Sequence, residues 1–220
     1  MLINQNTSRV FDYWKSKRQN GDIPHRRDIE PSALGRALGS VCLLRQTDRD
    51  AAYRFALAGS RLGLILGREL TGDLGASLFH RDSCHLSQQA FSVIAEEAVG
   101  VVLELTGTSA RDRELRFEAV MLPLTSTDGQ TIIMAAIEPH EVTAWLGSDA
   151  VVSMRIDTLR VINIEEELFA IRSRPAVPIP FRSHHHRDLN RQLRVIDGNN
   201  GVGPRSNRDV QLQVIECGMQ

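Results

Sequence analysis

The chain has 220 residues, of which 42% are hydrophobic and 24% charged, ordinary values for one globular domain with extensions. Its formal net charge of −1 gives no general attraction to nucleic acid or to an anionic membrane surface. No apolar run approaches the ~20 residues that span a bilayer, and the N-terminal residues lack the basic and apolar regions of a secretory signal. We therefore expect a cytoplasmic protein that contacts neither a membrane nor nucleic acid.

The N-terminal region, residues 1–30, is predicted to be a helix and a linker. Val10, Phe11 and Trp14 form an apolar stripe on a helix over residues 7–20, which Thr7 or Asn6 can cap. The stripe fits two interpretations: the helix packs back on its own domain, or it pairs two chains in a homodimer. A second helical stretch follows over residues 28–38, with Pro31 suited to its first turn.

The stretch from Tyr53 to Phe79 forms the centre of the predicted fold. Tyr53, Phe55 and Leu57 alternate with smaller or polar residues, which is typical of a half-buried strand, and residues 41–44 supply its hairpin partner. Gly59 then breaks the strand. A short apolar helix is expected next, beginning at Ser60 and closed by Gly67 in a left-handed conformation. Together with Gly63, these glycines recur every four residues, as ordinary caps and turns or as close approach beside a cavity.

The second half of the chain predicts one longer helix and three strands. The helix runs from Asp82 or Ser83 to about residue 98, and its apolar face consists of Leu86, Ala90, Val93 and Ile94, with Phe91 at the edge. Strands begin near residues 101, 115 and 132, the second ends at Pro123, and Asp128-Gly129 is a hairpin turn signal. The expected fold is α+β, a five-stranded antiparallel sheet with helices packed on one face.

The C-terminal part is predicted to contain an extension, residues 141–171, and a mostly disordered tail, residues 172–220. Residues 151–164 suit one additional strand or two broken ones. The tail has scattered prolines, a histidine run at His184–His186, and six arginines against one acid between residues 172 and 194. The role of the histidine run and of this basic stretch stays open, although a solvated segment is favoured over a nucleic-acid or acidic-partner surface.

Several short sequences, taken in order, resemble the PAS domain, a sensory module, and in particular the stand-alone PAS proteins of alphaproteobacteria. They are the run from Val10 to Lys15, the run from Asp28 to Pro31, Tyr53-Arg54-Phe55 with Leu57-Ala58-Gly59, and Gly67-Arg68-Glu69-Leu70. The resemblance covers roughly residues 8–140 and places the PAS-like core at residues 31–140. It implies a cup between the helices and the inner sheet face.

Motifs that carry catalysis or bind a cofactor are sparse. The chain contains no phosphate-binding loop, no dinucleotide fingerprint and no nucleophile elbow. The three cysteines, Cys42, Cys84 and Cys217, are too widely spaced for a disulfide framework or a structural zinc site. In some PAS proteins a histidine on the long helix binds haem iron, but His80 and His85 fit surface positions at the helix start. No metal site is expected, and the identity of any cofactor is unknown.

The favoured hypothesis is a sensory or regulatory module, not an enzyme, that acts through contact with a signalling protein. A small ligand would lie in the cup against residues from two helices and two strands: Tyr53, Phe55, Leu62, Leu66, Phe91 and Met121. A ligand-free dimerisation or adaptor domain is the alternative. A small α+β enzyme is a third reading, disfavoured because the residues placed in the cup are apolar.

Overall fold

The computed structural model describes residues 2–18, 22–47 and 52–162. Its helices are α1 (Gln5–Ser16), α2 (Pro31–Leu34), α3 (Ser60–Leu66) and α4 (Arg81–Glu97), with 3₁₀ turns at Arg26–Asp28, Gly35–Ser40 and Gly75–Leu78. Its strands are β1 (Val41–Gln46), β2 (Tyr53–Ala58), β3 (Gly100–Ser109), β4 (Glu114–Thr125), β5 (Thr131–Pro139) and β6 (Val151–Ile162). The predictions for residues 172–220, including His184–His186, lie outside the described residues.

The strands form one antiparallel sheet in the order β2-β1-β5-β4-β3-β6. The expected α+β architecture with an antiparallel sheet is confirmed, with one addition to the five predicted strands. The C-terminal extension supplies β6, a single strand paired with β3 from Gly100↔Ile162 to Ser109↔Val151. Within the described residues, no helix is long and apolar enough to cross a membrane.

The sheet is covered on both faces, not on one as predicted. Helices α3 and α4 and the turn Gly75–Leu78 pack on the inner face, where they form a cup with side chains such as Phe55, Leu103 and Phe117. The segment from residue 26 to 40 and helix α1 pack on the outer face, against side chains such as Val120, Leu122 and Met134. Two apolar clusters therefore share one sheet, because most of its central strands are buried on both sides.

Helix α1 packs on its own domain, which matches the first of the two interpretations of its apolar stripe. Val10 and Trp14 are fully buried, Phe11 is 7% exposed, and all three belong to the outer-face cluster. A homodimer through Val10, Phe11 and Trp14 would therefore require α1 to leave its own sheet first. The helix also starts earlier than expected, because the side chain of Asn4, not Asn6 or Thr7, accepts the amide of Asn6.

A β-bulge reverses the predicted direction of Leu57. Leu44 pairs with Phe55 but its neighbour Leu43 pairs with Leu57, so Ala56 is the extra residue in β2. Because one inserted residue shifts the alternation, Leu57 lies on the outer face beside Leu43 instead of following Tyr53 and Phe55 into the cup. Leu57 is 43% exposed as a result.

Strand β4 continues to Thr125, beyond the end predicted at Pro123. Proline is tolerated there because β3 pairs with β4 only as far as Val101↔Met121, so the β3 side of Pro123 has no strand. The indole N–H of Trp14 donates to the Pro123 carbonyl at 2.8 Å. Helix α1 thus supplies a hydrogen-bond donor to a backbone carbonyl just beyond the end of the β3–β4 pairing.

Candidate functional site

The six residues predicted to line a ligand site all lie in the cup. Tyr53 and Phe55 are on β2, Leu62 and Leu66 on α3, Phe91 on α4, and Met121 on β4. Each is at most 9% exposed, and all six belong to the inner-face cluster. The structure therefore places all six side chains in one cluster, and their contact with a ligand stays a prediction.

Aromatic packing fills part of this cup. The rings of Tyr53 and Phe91 lie 5.4 Å apart between centroids at a tilt of 48°. Gly75 lies against both β1 and α4, because a Cβ at this position would be 2.5 Å from Leu44 Cδ2 and 3.2 Å from the Phe91 ring. Burial, and secondarily Glu96, raises the pKa of Tyr53. The phenol therefore stays neutral in the cup.

The three regularly spaced glycines, Gly59, Gly63 and Gly67, occupy different structural environments. A Cβ at Gly59 would be 2.3 Å from the Gly39 carbonyl oxygen, so this glycine permits two backbones to touch. Gly67 ends α3 with a positive φ of 63°, as predicted. At Gly63 a Cβ would meet only the Arg68 carbonyl oxygen at 3.4 Å, an ordinary contact. Gly63 therefore leaves room for a small side chain.

Helix α4 contributes polar groups at its first turns. Ser83 is buried and its hydroxyl accepts the amide of Ile156 at 3.0 Å, which joins α4 to β6. His80 is the N-cap of α4, and His85 is exposed. Within the described residues, no three histidine, cysteine or acidic side chains are grouped to hold a metal ion. Burial raises the pKa of Cys42 to about 12, so its thiol is not a nucleophile at neutral pH.

A row of three glutamates, which is absent from the residues predicted above, crosses the outer face of the sheet. Glu104 on β3 is opposite Glu118 on β4, which in turn is opposite Glu138 on β5. Glu118 and Glu138 are 0% and 1% exposed. Like charges directly opposite in a sheet destabilise it unless other groups compensate them.

The N-terminus of α1 compensates Glu118. The Glu118 carboxylate accepts the amide of Ile3 at 2.7 Å and that of Asn4 at 3.1 Å, and it also accepts the Thr7 hydroxyl. These donors lie at the positive end of the helix dipole, where a carboxylate is favoured. The buried charge therefore fixes the position at which α1 docks.

The other two glutamates link α1 to more distant elements. Glu138 accepts the side-chain amide of Asn6 on one oxygen at 2.8 Å and pairs with Arg61 of α3 on the other at 3.0 Å. Glu104 lies 2.8 Å from His140 Nε2 and 3.6 Å from Arg160 of β6. Glu138 thus bridges α3, which covers the cup, and α1, which covers the opposite face.

One sequence signal could have revealed this row. Glu138 is a single charge on a strand whose other residues facing the same way, such as Met134 and Ala136, are apolar. An isolated acid in a buried stripe predicts a dedicated partner. The sequence does not reveal the strand register that places the three glutamates side by side.

No curated protein matches the chain. Among solved structures, it is similar to the PAS-B domain of Drosophila melanogaster Cycle, both a tryptophan-to-alanine variant with bound glycerol and the wild type with bound ethylene glycol. Each alignment has 10% sequence identity, covers 45% of this chain and 97% of the other, and has a TM-score of 0.37.

An RNA-binding light-oxygen-voltage receptor is also similar, with 15% identity, coverage of 48% of this chain and 32% of the other, and a TM-score of 0.35.

The evidence for a family comes from the sequence itself. The family model described as PAS domain matches residues 3–152, well over half of the chain. The match begins before α1 and ends within β6, so it includes both faces of the sheet and the cup. A match of this extent shows that the chain belongs to the PAS domain family, a family of sensory and regulatory modules.

Proposed function

We propose that the chain is a regulatory module in which the packing of α3 over the cup controls how firmly α1 docks on the opposite face of the sheet. The observation that carries this proposal is the bridge through Glu138, which pairs with Arg61 of α3 and accepts a hydrogen bond from Asn6 of α1. A displacement of α3 moves Arg61, and Glu138 is then a buried carboxylate with one partner fewer. The docking of α1 is weakened as a consequence.

The input is a small apolar or mixed ligand in the cup. Leu62 and Leu66 project from α3 into the same cluster as Tyr53, Phe55, Phe91 and Met121. A ligand that prefers one packing of α3 shifts the population toward the state with that packing. Its effect is limited by the difference between its affinities for the two states.

The output is contact with a signalling protein in the cytoplasm. Release of α1 would expose Val10, Phe11 and Trp14, a stripe that is suited to a partner helix or to a second copy of the chain. In this proposal the homodimer expected from the stripe belongs to the released state.

A ligand-free adaptor domain is the second candidate function, and the packing within the cup favours it. The Tyr53–Phe91 ring pair and the contacts around Gly75 occupy space that a ligand would need. Mass spectrometry under native conditions and an absorption spectrum of the purified protein separate the two candidates. A bound small molecule supports the sensor, and protein of bare mass that takes up no apolar probe supports the adaptor.

Hydrogen exchange measured by mass spectrometry tests the coupling. We compare the α1 amides in the wild type and in Arg61→Met, which keeps much of the aliphatic bulk and removes the charge. Loss of the bridge should raise the exchange rate of α1 by roughly 10- to 150-fold, since a hydrogen-bonded ion pair to a buried carboxylate contributes about 1.5–3 kcal/mol.

Arg68→Met is the matched control. Arg68 also pairs with a carboxylate, that of Asp73, but both side chains are on the surface next to α3 and neither contacts α1. Its substitution should leave α1 exchange unchanged. Equal α1 exchange in Arg61→Met and the wild type, with equal global stability, would contradict the coupling.

A further inference from the structure

An apolar groove of about 550 Å³ lies on the outer face of the sheet, between the segment from residue 26 to 40 and the β1–β2 hairpin. Its floor is buried and includes Leu34, Val41, Leu43 and Met134. Its walls are Leu38 and Leu57, which are 39% and 43% exposed. The bulge at Ala56 turns Leu57 toward this groove.

Two arginines lie at the groove. Arg26 lines it, and the guanidinium of Arg9 lies beside Gly35, with Nη1 3.2 Å from where a Cβ would be. In the described part of the chain, neither arginine forms an ion pair. The neighbouring acids, Asp28 and Glu30, are paired with Arg27 at 3.8 Å and with Lys17 at 3.1 Å. The rim is therefore suited to an acidic partner with apolar side chains.

The chain itself contains a segment with this chemistry. Residues 165–171 read Glu-Glu-Glu-Leu-Phe-Ala-Ile, three acids followed directly by four apolar residues. They come soon after β6, which ends at Ile162. The apolar half complements the leucine walls, and the acidic half complements Arg26 and Arg9.

We propose that the groove binds residues 165–171 of a second copy of the chain, so that two copies associate by exchanging these segments. This inference goes beyond the coupling of α3 to α1 and does not depend on it. A symmetric pair needs each copy to donate one segment and accept one, which closes the dimer. Direct groove-to-groove contact is disfavoured, because it would bring the arginines of one copy against those of the other.

Distance argues against binding within one chain. β6 and β1 are four strand spacings apart, about 19 Å, and α1, about 10 Å in diameter, packs on β4 and β5 between them. Leu168 is six residues beyond Ile162 and reaches about 20 Å when fully extended. A path over α1 is longer than this lateral distance, so exchange between copies is favoured over binding within one chain.

Sedimentation equilibrium of the full chain tests the proposal with two variants that affect opposite sides of the contact. Leu57→Asp places a charge in the groove. The triple substitution Glu165→Lys, Glu166→Lys and Glu167→Lys reverses the charge of the segment. Each should weaken self-association at least tenfold. Leu64→Asp is the matched control, because Leu64 is 67% exposed on α3 and does not line the groove. It should leave association unchanged.

Two further measurements separate exchange from other forms of association. An equimolar mixture of the groove variant and the segment variant should form a heterodimer, since one intact groove then meets one intact segment. A labelled peptide of residues 162–172 should bind the full-length segment variant, and this binding should weaken at high salt. Adding Leu57→Asp or Arg26→Glu to that variant should abolish peptide binding.

The proposal is overturned if the wild type is a monomer at all concentrations, or if Leu57→Asp and Leu64→Asp have the same effect. A monomer in which the segment substitutions raise hydrogen exchange around Leu57 would show binding within one chain, which also overturns exchange between copies.

Discussion

Trp14→Ala tests whether α1 belongs to its own domain in solution. Trp14 is fully buried between α1 and the sheet. Its ring is stacked on Phe11 at 6.2 Å between centroids and lies 5.4 Å from the Arg18 guanidinium carbon, and its N–H donates to Pro123. Alanine removes all of these contacts together.

The expected loss is large. Truncation of a buried tryptophan to alanine costs about 3–5 kcal/mol, partly because of the cavity that is left. The Pro123 carbonyl also loses its donor, which brings the cost toward the upper end of that range. A domain of this kind has a total stability of about 5–15 kcal/mol, so the variant should be marginally folded. Trp14→Phe keeps most of the packing and should cost about 1–2 kcal/mol.

Urea unfolding followed by circular dichroism at several protein concentrations gives the free energy of unfolding. Leu64→Ala serves as the control, because this leucine is 67% exposed and its truncation should change stability by less than about 0.5 kcal/mol. If Trp14→Ala keeps wild-type stability and instead lowers self-association, α1 pairs between chains in solution and the packing argued above is wrong.

Four other predictions concern single residues. Thr7→Val removes one donor to the buried Glu118 carboxylate and should lower the free energy of unfolding by about 1.5–3 kcal/mol in urea titrations. Gly67→Ala should lower the free energy of unfolding by at least about 1–2 kcal/mol, because Gly67 has a positive φ and lies close to Ala150. Gly63→Ala should raise it by up to about 1 kcal/mol. Equal effects of the two substitutions would contradict this assignment. Iodoacetamide followed by peptide mapping should modify the half-buried Cys84 and spare Cys42. The Cys42 pKa rises from 9.0 to about 12 in the folded chain, so the unfolded chain loses this proton first, and stability should fall as pH rises across that window.

Local patterns predicted much of the fold correctly. The bounds of β2, the left-handed end of α3 at Gly67, and the turn at Asp128-Gly129 each depend on a few adjacent residues. Short-range steric preferences decide such features, so the sequence is sufficient to find them. The six residues of the cup follow in the same way, because they are the apolar sides of elements that had been placed correctly.

What the sequence could not supply is information from distant strands. Period-two alternation continues unbroken from Tyr53 to Leu57, and only pairing with β1 reveals that Ala56 is the extra residue. The glutamate row depends on the register of three strands and on a helix at the other end of the chain. Likewise, the face that α1 covers is set by a sheet that forms from residues more than a hundred positions later.

The long sequence separation of the α1 contacts has a consequence for biosynthesis. The side chain of Asn6 binds Glu138, which is 132 residues further along the chain. At about 5–20 residues per second, the ribosome needs on the order of ten seconds to make the strand that receives this helix. Throughout that interval Phe11 and Trp14 have no sheet to cover them, so the nascent chain presents an apolar helix that chaperones can bind and that favours aggregation in a crowded polysome.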